Sequence, residues 1–175
     1  MNVRPMQAAD VRAYRELMLQ GYAQNADAFT STAEERSAEP ESWWLKRVAD
    51  PNGFSQAFGA FLTGELVGSV VIEYSAKCKL RHKAVIVGMF VSAPHRRIGA
   101  GRALLLAAMS HARARPGVKV LTLTVTEGNT EAVRLYLAAG FQQFGLEPMA
   151  IFTGTEYKSK LHMQLQLSPN ERPAA

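Results

Sequence analysis

A basic turn carrying two glycines joins an apolar run to an alanine- and leucine-rich one: Val91-Ser-Ala-Pro-His-Arg-Arg-Ile-Gly-Ala-Gly-Arg102. Residues 84–91 are almost wholly apolar, the pattern of a strand buried on both faces. Pro94 ends that strand, and from Gly99 onward the residues are strong helix formers. The first N–H groups of such a helix lack an intrahelical partner and point outward at the positive end of its dipole, which makes an anion site. Gly99 and Gly101 have no Cβ, so a bulky anion can reach the backbone, while Arg96, Arg97 and Arg102 add charge. The chemistry on offer is the cradling of a pyrophosphate. The competing reading is a helix start whose glycines serve only the turn. A dinucleotide fingerprint does not fit, because the third glycine is missing and Leu121 stands where an acid belongs. A Walker loop does not fit either, for want of Gly-Lys-Ser/Thr.

A second stretch carries independent information. Over 118–126, Val120, Thr122, Thr124 and Thr126 alternate with Leu121, Leu123 and Val125, a strand pattern of period two. The next segment has a good helix cap in Asn129 and a left-handed stop in Gly140. Between them Asn129, Ala132, Val133 and Tyr136 share one face of the helix. The two stretches, Arg96-x-x-Gly99-x-Gly101 and Asn129-x-x-Ala132-x-x-Leu135-Tyr136-x-x-x-Gly140-Phe141, lie about thirty residues apart. In types, order and spacing they resemble the two motifs of the GNAT family of N-acetyltransferases, and the resemblance extends over about 2–167.

That resemblance implies a mixed α/β fold: a central, mostly antiparallel sheet of six to seven strands, helices on both faces, and a splay between the fourth and fifth strands. It implies acetyl-CoA as co-substrate and no metal. The pantetheine arm would enter the splay and pair with backbone at Met89, Phe90 and Val91. The pyrophosphate would sit on Arg96, Arg97, Ile98, Gly99, Ala100, Gly101 and Arg102, with Asn129 across from them. Tyr136 matches the family's usual partner of the leaving thiolate, and a core aromatic is its alternative. For the base that takes the amine proton the residues offer Glu73, at the end of a central strand, and His82, at the start of the buried one. Arg97 occupies a position commonly held by glycine, and the expectation is that no special backbone angle is needed there. Gly88, inside a β-branched run, suits a bulge that aims the strand's backbone into the splay.

The whole chain agrees with this. Its 175 residues suit one domain over 1–168 with a disordered tail at 169–175. An apolar fraction of 47% with 20% charge is that of a globular protein, and no tract approaches eighteen apolar residues, which excludes a membrane helix. The N-terminus lacks a signal core and Cys78 is the single cysteine, so a reducing cytoplasm is expected. Residues 74–126 hold ten Lys/Arg and no acid, whereas 1–73 hold ten of the fifteen acids. This basic block, including the turn Lys77-x-Lys79-x-Arg81-His82-Lys83, suits the phosphates of a coenzyme. A nucleic-acid partner, which a pI near 9.6 would otherwise suggest, finds no helix-turn-helix, zinc or aromatic-ribonucleoprotein signature. The expected activity is transfer of acetyl from acetyl-CoA directly to a primary amine of a small molecule or protein. A non-catalytic acyl-CoA-binding or sensing domain is the alternative, and a homodimer is left open.

The remaining elements must position these residues. A strand is expected over 2–6, a helix over 8–25 with an apolar stripe, and a polar stretch without periodicity over 25–42. A short helix follows over 41–49, then a hairpin of 56–62 and 65–74 turning at Thr63-Gly64. Pro148 is expected to break the strand that begins after Phe141, and 157–167 alternates as the last strand.

Overall fold

The computed structural model describes residues 1–167. Seven strands form one sheet: β1 (Asn2–Pro5), β2 (Ser55–Leu62), β3 (Glu65–Tyr74), β4 (Lys83–Val91), β5 (Val120–Thr126), β6 (Gln142–Phe152) and β7 (Tyr157–Gln166). Their spatial order is β1-β2-β3-β4-β5-β7-β6. Every neighbouring pair is antiparallel except β4 and β5, which are parallel. The mixed, mostly antiparallel sheet with helices on both faces is the one expected.

Strand alternation divides the interior into two cores. Val70, Ile72, Ala84, Ile86, Leu121 and Leu123 pack under α4 (Ala100–Ala114) and α5 (Thr130–Ala138). Val71 and Phe90 point the other way, under α1 (Val11–Gln24) and α3 (Glu41–Val48). Helix α1 presents Val11, Tyr14, Leu17, Met18 and Tyr22 to that core at spacings of three and four, the stripe its sequence shows. Ile86 and Phe90 are four residues apart on one strand, yet they belong to opposite cores. An extra residue must therefore intervene, and it does so at Gly88, whose φ is 58° and opposite which the β3–β4 register slips.

Two expectations need correction. The polar stretch contains a short helix, α2 (Ala33–Ser37), opened by a reciprocal cap: Glu35 N–H donates to Thr32 Oγ1, and Thr32 N–H donates to the Glu35 carboxylate. Its brevity hides it from a test of periodicity, although the Thr-x-x-Glu signature is in the sequence. Pro148 does not end its strand. Strand β6 is an edge with β7 as its one partner, so a missing N–H is tolerated, and the irregularity is absorbed by a register shift between Glu147 and Ile151. The tail at 169–175 lies outside the described residues.

The entry to α1 is fixed by an ion pair. Both oxygens of Asp10 accept from Arg4, at 2.8 Å each, and Oδ2 also accepts the Gln7 N–H. The Arg4 guanidinium in turn covers the Phe61 ring. Hydrogen bonding by Arg4, aided by Gln7, holds the Asp10 carboxyl below its ordinary pKa against the opposing effect of burial. A depressed carboxylate stabilises the fold above its unfolded value, near about 3.9, and that contribution is lost as pH falls through the lower folded value. Asp10→Asn should therefore lower Tm at neutral pH, and the gap to wild type should close as pH drops below about 4. Thermal melts from pH 7 to pH 2.5 check this; a gap that does not narrow with acid would mean the pair is not the source.

Candidate functional site

Strands β4 and β5 pair through three positions only, Lys83↔Val120, Ala84↔Leu121 and Val85↔Thr122. Beyond these the strands part. The edge of β4 toward β5 is then left without a strand partner at Met89–Val91, and a cleft of about 1000 Å³ opens above it. One wall is the start of α4. The opposite wall is the end of α1 and the loop after it, and the far side is the start of α5 with Lys158 of β7. The loop is anchored by Phe29, whose ring packs edge-on against Tyr22 and tilts toward Phe90. Two polar ties carry it across to β7: Lys158 Nζ to Asp27 at 2.6 Å and Lys160 Nζ to Thr30 Oγ1 at 2.9 Å.

The basic turn has the geometry of an anion cradle. Gly99 caps α4 in the left-handed conformation, φ 87°, and the first helical bond runs from Ala103 N–H to Gly99 O. The N–H groups of Ala100, Gly101 and Arg102 precede that bond and are left for a ligand. Arg96 is structural as well as cationic: its Nε donates to Val91 O at 3.1 Å, and its Nη2 donates to Asn25 Oδ1 at 2.8 Å. Arg97 departs from expectation, because its φ is 65°. Left-handed backbone costs an L residue about 1–2 kcal/mol and glycine almost nothing, which is why a glycine would suit position 97. The Arg97–Glu131 pair at 3.4 Å is largely exposed on both sides and offsets little of that.

Met89, Phe90, Val91, Arg96, Arg97, Gly99, Ala100, Gly101, Arg102 and Asn129 all line this cleft. Ile98 is half exposed and stands outside the lining. Asn129 also caps α5, accepting the Ala132 N–H through Oδ1. Tyr136 lies one turn behind the wall formed by Ala132 and Leu135, buried against Phe141 with ring centroids 5.8 Å apart. Burial pushes its phenol up to about 12. Glu73 ends β3 opposite Val85, outside the cleft, with its carboxylate 3.2 Å from the Arg47 guanidinium. His82 is exposed at the closed end of β4, where its carbonyl accepts the N–H groups of Lys119 and Val120. The basic turn at 77–83 sits at that same closed end, so a nine-residue strand, about 30 Å long, separates it from the cradle. The turn thus lies too far away to add to the field at the cradle, and the part of the basic block that can serve a phosphate there is the Arg96–Arg102 segment.

The sequence reading missed further lining residues, among them Asn25, Asp27, Phe29, His95, Thr126, Glu127 and Lys158. Thr126 is buried, and its Oγ1 has no hydrogen-bond partner among the described residues. An orphaned hydroxyl in a cleft with free helix N–H groups calls for a polar ligand. A pyrophosphate on the cradle, with an amide-bearing arm along β4, fits these residues.

The model of the Acetyltransferase (GNAT) family matches residues 18–141. Mycothiol acetyltransferase of Thermobispora bispora is 32% identical over 144 residues, which cover 80% of this chain and 45% of that protein. The chain thus spans less than half the length of that relative. Among solved structures, yncA of Salmonella typhimurium, determined with its cofactor acetyl-CoA, superposes with a TM-score of 0.81 at 22% identity, covering 100% of this chain and 98% of that one. A phosphinothricin acetyltransferase from Sinorhizobium meliloti, in complex with acetyl-CoA, gives 0.82 at 20% identity, covering 97% and 93%. At these identities the structures share the fold.

Gly101 offers a clean test of the cradle. A Cβ added there would lie 3.5 Å from Leu135 and 4.0 Å from Val91, both cleft residues, and its backbone has an ordinary φ. Gly101→Val should therefore fill the cleft without strain. Coenzyme A should raise the Tm of wild type by mass action and leave Gly101→Val unmoved, the two melting alike without ligand. An equal shift in both would put the site elsewhere. Arg97→Gly should reduce the shift only in part, because the helix N–H groups and the other arginines remain, and gain up to about 1 kcal/mol of stability from the relieved φ, read by urea unfolding.

Proposed function

Because the chain belongs to the GNAT acetyltransferase family, we propose that it transfers the acetyl group of acetyl-CoA directly to a primary amine. The observation that supports this most is the parting of β4 and β5 into a cleft that ends on the cradle at the start of α4. Arg96, Arg97, Arg102 and the free N–H groups of Ala100–Arg102 would hold the pyrophosphate; Met89–Val91 would pair with the pantetheine arm as an added strand does. The thioester supplies an activated acyl carbon, and this chain supplies position, polarisation and proton management.

Three requirements follow from the chemistry. The carbonyl needs a donor, which a backbone N–H of the bulged strand can provide. The leaving sulfur needs a proton, for which Tyr136 is the candidate: a phenol pushed up to about 12 stays protonated through the neutral range. It should therefore add no basic limb to the rate profile below about pH 10. The amine must lose a proton. Of the two bases legible in the sequence, His82 stands at the closed end of the strand pair, whereas Glu73 faces the sheet surface beside Val85.

Burial of Tyr136 behind the cleft wall favours a second reading, a domain that binds acyl-CoA without turning it over. Release of free thiol from acetyl-CoA across a panel of amines separates the two. Thiol released in step with an acetylated amine supports transfer; tight coenzyme binding without release supports the sensor.

Tyr136→Phe keeps the ring and its packing, so coenzyme A should still raise Tm. If the hydroxyl protonates sulfur, kcat and kcat/KM should fall together, by about 10²-fold or less because a thiolate is already a fair leaving group. Steady-state kinetics check this, and a kcat within about twofold of wild type would make Tyr136 a packing residue.

A further inference from the structure

Resting on the acetyl-transfer reading, we propose that His162, held by Glu147, is the residue that takes the proton of the attacking amine. Helices α1 and α3 pack on β2, β3 and β4, and the loop after α1 crosses to β5 and to β7, where it is tied at Lys158 and Lys160. On β5 the buried Leu121, Leu123 and Val125 alternate with Thr122 and Thr124, and Thr124 is exposed. Val85, opposite Thr122, is 40% exposed. An open strip of sheet thus runs over the point where β4 and β5 part, and an amine can approach the splay along it.

His162 borders that strip. On β7 it lies directly opposite Thr124, one strand spacing or about 5 Å away, as Gln164 lies opposite Thr122. Its Nε2 is 3.0 Å from Glu147 Oε2 on β6, and its ring packs edge-on against Phe144, centroids 5.9 Å apart. A carboxylate on Nε2 fixes the tautomer with the proton there. Nδ1, which has no hydrogen-bond partner among the described residues, is left as the ring's proton acceptor. The charged groups facing the ring are few. Strand β6 contributes Glu147, β7 contributes Lys160, whose ammonium is engaged by Thr30, and β5 contributes none. Glu73, by contrast, is ion-paired with Arg47.

The step balances without a further reactant. The amine nitrogen bonds to the acyl carbon, the C–S bond breaks, and the electron pair leaves on sulfur. The nitrogen's proton passes to Nδ1, directly or through one water, and is later released to solvent. The thiolate is protonated from Tyr136 or water.

The test uses an amine that the wild-type protein acetylates, with kcat/KM for that amine measured from pH 5.5 to 9. His162→Gln and His162→Asn should each lose about 10²-fold and flatten the acidic limb, while coenzyme A still raises their Tm. Added imidazole should restore part of the rate. Glu147→Gln, acting through His162, should lose about tenfold and keep a limb. Histidine variants within about twofold of wild type, or with the acidic limb intact, overturn the assignment and leave acetyl transfer standing. A wild-type protein that binds coenzyme A and acetylates no amine overturns both.

Discussion

Three parallel residue pairs hold β4 to β5, and the site depends on their ending at Val85 and Thr122. A fully paired ladder would satisfy the backbone of both strands and leave no slot for a ligand between them. The ladder stops because β4 gains a residue at Gly88. A left-handed φ there turns the strand, moves Phe90 from one core to the other, and carries the edge of β4 away from β5. Phe90 then packs beside Phe29, which in turn meets Tyr22, so one bulge both opens the cleft and anchors the loop that forms the wall opposite α4.

The electrostatics of the cleft are local. The cradle draws on helix N–H groups and on arginines of the same turn, while the other basic cluster sits at the far end of β4. With screening lengths of about 8 Å at physiological salt, charges a strand length away add little to the field at the cradle. Arg96 matters for a different reason. Bonded to Val91 O and Asn25 Oδ1, it ties the strand end, the cradle and α1 into one rim.

The two sides of the sheet are unequally dressed. Helices α4 and α5 together seal the side that holds the larger core, and Tyr136 is buried within it. On the other side α1 and α3 seal β2 to β4, and β5, β7 and β6 carry threonine, glutamine, histidine and glutamate toward solvent. The proposed reaction, which would join a long thioester to a separate amine, needs two approaches to one carbon, and this asymmetry is compatible with both.

Short-range physics made much of this legible in the sequence. Apolar runs, period-two alternation, the caps at Asn129 and Gly140 and the glycines of the cradle each act over a few residues, so the succession of strands and helices along the chain and the cradle could be read directly. The left-handed angle of Arg97 could not, because a non-glycine residue gives no sign that its backbone is strained until the turn is built. Nor could the polar loop that closes the cleft, since Asn25, Asp27 and Thr30 take their meaning from Arg96, Lys158 and Lys160, which are distant in the chain. The placement of the candidate proton-transfer groups was likewise decided by tertiary structure. His82 and Glu73 are near the motifs in sequence, yet strand direction carries His82 to the closed end and Arg47 engages Glu73. His162 reads as one polar residue of an alternating strand, and only the pairing of β7 with β5 and β6 sets it beside Thr124 and Glu147. Sequence patterns report which face a residue takes; which partners meet on that face is settled by strand pairing between segments far apart in the chain.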